Sequence, residues 1–158
     1  MSRDINNFEK PAMWWIFKKA VKDETGLDVE PSCVDRNYKE QYAYWLRGRE
    51  PLHIVNEAMR RAGLPHLTQE ENKRCVTWTL NSKHVVNLED ENLNNDKSHA
   101  IDFFIVYQGK VVWDVKADIN KDNVRDYEQC ALIAERIGFK SGMRFKNRDY
   151  PHIEIKEA

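Results

Sequence analysis

The 158-residue chain has no excess of charge of either sign: 25 Lys and Arg stand against 26 Asp and Glu, a net charge of −1. A nucleic-acid binder usually carries a basic surplus, so this balance argues against that class. No apolar run approaches the roughly 18 residues of a membrane span, which argues against stable membrane insertion. The opening residues, Met1-Ser2-Arg3-Asp4-Ile5-Asn6-Asn7, contain no apolar signal core, and the expectation is a protein made in the cytosol. Cysteine is sparse. Cys33, Cys75 and Cys130 are odd in number, widely spaced and without a Cys-x-x-Cys pair, which reads as reduced thiols. There is no internal repeat and no low-complexity tract. A His-Glu-x-x-His helix, the common metalloprotease signature, is also missing.

What is present is an ordinary globular composition, 41% hydrophobic and 32% charged, in a chain long enough for one domain spanning 1–158. Pro11 to Lys22 reads as a first helix, with Pro11 in the first turn and Gly26 as its stop. Leu27 to Glu30 alternates as a short strand. Asp35 to Leu46 reads as a second helix capped by Asp35, with Tyr38, Tyr42 and Trp45 recurring at helical spacing as a core face. Pro51 to Ala62 is a third helix, and Thr68-x-x-Glu71 resembles a capping box. Cys75 to Thr79 is β-branched and aromatic, so a strand is expected. Ala100 to Tyr107 is the strongest strand signal, and Gln108-Gly109 turns it into Lys110–Trp113. Asn123 to Ile137 reads as a helix stopped by Gly138. A closing hairpin joins Met143-Arg144-Phe145 to the strand at His152. Helices first and strands later predict an α+β fold with a small, mostly antiparallel sheet.

The chemistry gathers on few residues. In Asp149-Tyr150-Pro151-His152 the proline restricts Tyr150 to extended conformations. His152, Glu154 and Lys156 then share one strand face. A strand histidine with a carboxylate three residues upstream suits a metal ligand beside a general base. Asp102 sits inside the most apolar strand, where a carboxylate needs a partner, either a metal or a buried cation. His84, Asp102 and His152 form a His-Asp-His set of the kind that leaves a fourth zinc position for water. The tract from Val85 to Ser98 is polar and acidic. Asp90, Glu91, Asn92, Asn94 and Asp96 offer oxygen ligands for Ca²⁺, although their spacing does not match an EF-hand loop.

Four blocks in order resemble the VanY-type zinc peptidases: Arg36 to Gln41 with Gly48-Arg49, Val76 to His84, His99 to Asp102, and Asp149 to His152. That family includes D-alanyl-D-alanine carboxypeptidases and phage endolysins that cut the L-alanyl-D-glutamate bond of peptidoglycan. The resemblance implies a hedgehog/DD-peptidase-like fold. It implies Zn²⁺ held by His84, Asp102 and His152, Asp149 as catalytic base, and Arg36 as a substrate or oxyanion contact. It also implies a monomeric lytic enzyme acting on the wall stem peptide, made in host cytoplasm and released through a membrane pore. The alternatives are a D,D-carboxypeptidase or dipeptidase of the same family, or a zinc-binding interaction module without catalysis. Two features depart from the family pattern. Residues 85–98 are an insertion between the middle blocks, which leaves His99 as a rival to His84. Pro51 to Arg74 is an extra helical stretch.

Overall fold

A computed structural model describes residues 1–86 and 97–157 of the chain. The acidic run from Asp90 to Asp96, with its suggested Ca²⁺ ligands, lies outside the described residues. The first helix, α1 (Pro11–Thr25), buries Trp14, Phe17 and Val21 and leaves Trp15 and Ile16 in solvent. It ends at Gly26, whose φ of +75° is the left-handed conformation that glycine adopts without a Cβ penalty. Strand β1 (Asp28–Cys33) runs farther than the alternating Leu27–Glu30 stretch predicts, continuing through Pro31 to Cys33.

The second helix, α2 (Tyr38–Leu46), starts three residues later than predicted. Asn37, not Asp35, is its cap, and Asn37 and Glu40 exchange side-chain bonds as a capping box. Its buried face is also not the aromatic one. Glu40, Gln41, Ala43 and Leu46 point inward, while Tyr38 and Tyr42 are 55% and 44% exposed. The polar face is turned in because Gln41 has buried partners to bond. Helix α3 (Leu52–Arg61) packs on α2 through Val55 and Met59 and forms a small second core with Ala43 and Leu46.

Cys75 to Thr79 is not a strand. Side chains, not a neighbouring strand, bind its carbonyls: Gln41 Nε2 donates to Thr79 O at 2.7 Å and Arg49 Nη2 to Thr77 O at 3.0 Å. With those acceptors satisfied, β-branched composition does not force a ladder.

Strands β2 (Ala100–Tyr107), β3 (Lys110–Val112), β4 (Phe139–Ser141) and β5 (His152–Ile155) complete an antiparallel sheet of order β1-β2-β5-β4, with β3 also on β2. β5 pairs with residues 100–102 of β2 and β3 with residues 105–107. The β2–β3 turn places Gln108 and Gly109 at φ of 50° and 76°, the left-handed pair of a tight hairpin. Helix α4 (Asp126–Ile137) begins later than predicted, because Asn123 itself is left-handed at φ 70°. Met143 to Phe145 is not the partner of β5. Phe139 to Ser141 takes that place, and Gly142–Arg144 is a 3₁₀ turn capped by Ser141. The main core lies between the sheet and α1 and α4, around Phe17, Ile101, Phe103, Tyr127, Phe139 and Ile153. The architecture is α+β, as the order of elements predicts.

Candidate active site

Asp102 occupies the level at which three strands come into register. Cys33 of β1 is its partner on one side and His152 of β5 on the other. β1 bulges between Pro31 and Cys33 just before that level. His84 arrives from a loop. Arg36 N–H donates to His84 O and Val86 N–H to Arg36 O, both at 2.9 Å, while the His84 N–H bonds Ser82 Oγ at 3.2 Å. The segment carrying His84 is therefore stitched to the segment carrying Arg36.

The side chains converge. His84 Nε2 lies 3.2 Å from Asp102 Oδ1, and His152 Nδ1 lies 3.0 Å from the same oxygen. The two imidazoles meet edge to face with centroids 5.1 Å apart. Donor atoms of Asp102, Asp149 and His152 lie within 4.8 Å of one another, and so do those of Cys33, His84 and Asp102. His99 is elsewhere. Its Nδ1 is 3.6 Å from Glu157, on the rim of a separate hollow with Lys83 and Lys97.

The outer nitrogens determine which atoms face inward. His84 Nδ1 is 2.9 Å from the Val34 carbonyl, which can only accept, so Nδ1 donates there and Nε2 is the nitrogen that faces Asp102. His152 Nε2 is 3.1 Å from Glu154 Oε1, so Nε2 donates there and Nδ1 faces the site. Arg36 is held by Gln41 at 3.0 Å and reaches Asp102 Oδ2 at 3.4 Å. Gln41 in turn bonds Thr77 Oγ1 and the Thr79 carbonyl. Gly142 lets the Asp149–His152 turn close: a Cβ there would stand 2.3 Å from the Asp149 carbonyl oxygen.

Burial opposes the charge on Asp102, yet the two histidines on one oxygen hold its carboxyl well below the usual range. Burial likewise opposes a charge on His84, but Asp102 and the Cys33 thiol raise it to about 10. For His152, Asp102 and Glu154 outweigh burial and raise it to about 8. The Asp149 carboxyl is pushed up by desolvation and by the Asp102 charge, against the pull of both histidines and Arg36.

These residues fit a dication. His84 Nε2 is a buried nitrogen with no hydrogen-bond partner, aimed at a carboxylate that a second inward-facing nitrogen also approaches. Two imidazoles and one carboxylate with Asp149 alongside form an N,N,O donor set suited to zinc, with a coordination position left over. The cavity above them, about 140 Å³, is walled by Trp78, Thr79, Phe145 and Asn147. A larger groove of about 640 Å³ between α2 and α3 shares no lining residue with it.

Sequence reasoning attached no role to Cys33, Gln41 or Glu154. The alternation of β5 does place Glu154 on the face of His152, which is a readable signal. Cys33 has none, because its proximity is a matter of sheet register.

An α+β domain that gathers two imidazoles and two carboxylates at one level of its sheet has the donor atoms a hydrolase with a metal centre would need. The chain belongs to the VanY-type peptidase family. It is 36% identical over 139 residues to the peptidoglycan L-alanyl-D-glutamate endopeptidase CwlK of Bacillus subtilis (strain 168), a match spanning 87% of this chain and 66% of that protein. Its fold is similar to that of the Serratia marcescens L-Ala D-Glu endopeptidase ChiX, with a TM-score of 0.52 and 16% identity, covering 96% of this chain and 83% of that one. No protein-family model matches the chain.

Proposed function

We propose that this protein is a zinc-dependent peptidoglycan peptidase that cleaves the L-alanyl-D-glutamate bond of the wall stem peptide. The observation that carries this reading is the approach of His84 Nε2 and His152 Nδ1 to one oxygen of Asp102, with the Asp149 carboxylate beside them. The relative CwlK, by its name a peptidoglycan L-alanyl-D-glutamate endopeptidase, supports the choice of substrate.

In this reading His84, Asp102 and His152 hold the metal. Zinc held there supplies Lewis acidity toward the scissile carbonyl and the attacking water. Asp149 takes the proton of that water and returns it to the leaving amine nitrogen. Its carboxylate lies within 4.8 Å of the donor atoms of Asp102 and His152. Glu154 and the Val34 carbonyl hold the imidazoles in the required tautomers. Arg36, anchored by Gln41, balances the Asp102 charge and offers a fixed cation for oxyanion charge developing in the cavity.

The same reading makes the protein a monomeric phage endolysin, made in host cytoplasm and reaching the wall after the inner membrane opens. No helix among the described residues is long and apolar enough to cross a membrane.

Purified wall digested with the protein and analysed by mass spectrometry tests the reading. New amino-terminal D-glutamate is expected. Loss of terminal D-alanine alone would instead establish a carboxypeptidase. Asp149→Ala should retain zinc by elemental analysis while losing cleavage, and undiminished cleavage would refute the mechanism. Zinc in the wild type with no cleavage of any wall fragment would establish a binding module.

A further inference from the structure

Among the described residues, only three buried side-chain oxygens lack a hydrogen-bond partner: Asn120 Oδ1, Asp126 Oδ1 and Gln129 Oε1. Asn120 lies in the connection between β3 and α4, and Asp126 and Gln129 lie at the start of α4, away from the candidate active site. Buried polar atoms are nearly always satisfied, so three orphaned acceptors within ten residues call for a missing donor or cation.

The loop has the ligand order of a calcium site. Counting Asp118 as position 1, Asn120 stands at 3, Asp122 at 5, Val124 at 7, Asp126 at 9 and Gln129 at 12. EF-hand loops draw their oxygen ligands from those positions, with a backbone carbonyl at 7 and a sharp turn at 6. Here position 6 is Asn123, left-handed at φ 70°, a conformation that asparagine tolerates better than most residues. Asp118 already folds the loop around its carboxylate, accepting from Asp122 N–H at 3.1 Å and Asn123 N–H at 2.9 Å. Asp126 is fully buried; its Oδ2 accepts from Ile119 N–H at 2.8 Å, and its Oδ1 makes no hydrogen bond. Burial and the charges of Asp118 and Asp122 together push the Asp126 carboxyl up, a field that a cation would relieve.

We propose that the Asp118–Gln129 loop is a Ca²⁺ site built from Asp118, Asn120, Asp122, Asp126, Gln129 and the Val124 carbonyl. Three carboxylates and a neutral amide at position 12, in place of the bidentate glutamate, put its affinity in the weak class, with a dissociation constant of about 10⁻⁴–10⁻³ M. The bound ion would clamp the start of α4. Asn120 Nδ2 also donates to the Thr25 carbonyl at the end of α1, so the same loop ties α1 to α4. The consequence is stability of the helix–sheet packing, and the proposal is independent of the bond the enzyme cuts.

Thermal melting of the zinc-loaded full chain, dialysed free of calcium, tests it. Added CaCl₂ at about 10 mM should raise the melting temperature by about 3–10 °C. Asp126→Asn should lose that rise. It keeps an acceptor for Ile119 N–H and removes a buried charge, so its calcium-free melting temperature should match or exceed the wild type. Asp122→Asn, at an exposed position, should lose the rise as well and serves if Asp126→Asn does not fold. No rise in the wild type would overturn the proposal. So would a rise that persists in the folded variants, which would assign the ion to another site, or an equal rise with MgCl₂.

Discussion

Gly142→Ala is the substitution that tests most directly how the Asp149–His152 turn is held. An alanine Cβ would stand 2.3 Å from the Asp149 carbonyl oxygen and 2.9 Å from His152 Cβ, whereas ordinary contact begins near 3.4 Å. The obstacles are the Asp149 backbone and the root of the His152 side chain, so a flexible tip cannot swing aside. The turn carrying Asp149 and His152 must retreat by about 1 Å, and the Asp149 N–H to Gly142 O bond of 2.9 Å stretches with it. Overpacking of this kind costs about 1–3 kcal/mol of stability. Displacing a catalytic group by about 1 Å costs roughly 100-fold in rate. Gly63→Ala is the matched control. Its φ of +72° strains any side chain, but nothing lies within 4 Å of the added Cβ. Both variants should melt earlier, and only Gly142→Ala should lose most of its cleavage rate and weaken its hold on zinc under a competing chelator. Equal activity of the two variants at a temperature where both are folded would refute the reasoning.

Glu154→Gln removes the carboxylate that fixes the His152 tautomer and should weaken zinc binding about 10- to 100-fold by competitive chelation, with the fold intact by circular dichroism. Gln41→Leu removes the partner of Arg36 Nη1 and leaves the Thr79 carbonyl only the Thr77 Oγ1 bond of 3.2 Å. Chemical denaturation should show a loss of about 1–3 kcal/mol, the cost of one group left unmade. The Tyr127 phenol accepts from Ile105 N–H and donates to the Val112 carbonyl, and burial pushes it up to about 12. Its folded value exceeds the unfolded value of about 10, so its contribution is fully present below about pH 10 and is lost as pH rises toward 12. Tyr127→Phe should melt earlier at neutral pH and fall less steeply between pH 10 and 12; parallel curves would refute the assignment.

Local pattern made much of the fold readable. The apolar run of Ala100–Tyr107, the Gln108-Gly109 turn and the glycine stops at Gly26 and Gly138 act within a few residues of themselves, so sequence is enough to recognise them. Pattern failed where a distant partner outweighed a local preference. Cys75 to Thr79 has strand composition, but Gln41 and Arg49 take its carbonyls. The aromatic residues of α2 have core periodicity, yet the helix turns its polar face inward to serve Arg36 and Thr77. The calcium-type spacing from Asp118 to Gln129 is present in the sequence, but it acquires meaning only from three oxygens that folding buries without donors.

For the site, the sequence by itself determined which residues were available: two histidines, two aspartates and an arginine, in four ordered blocks. Whether they meet was a question of tertiary structure. Asp102 and His152 are fifty positions apart and become neighbours through the β2–β5 register. A slip of one residue would turn His152 to the other face of the sheet. His84 instead of His99 stands beside Asp102 because its loop is bonded to the Arg36 segment. Which ring nitrogen faces inward is decided by a carbonyl at Val34 and a carboxylate at Glu154. Residue identity supplies the donor atoms; packing and register supply their distances and protonation, and a metal site requires both.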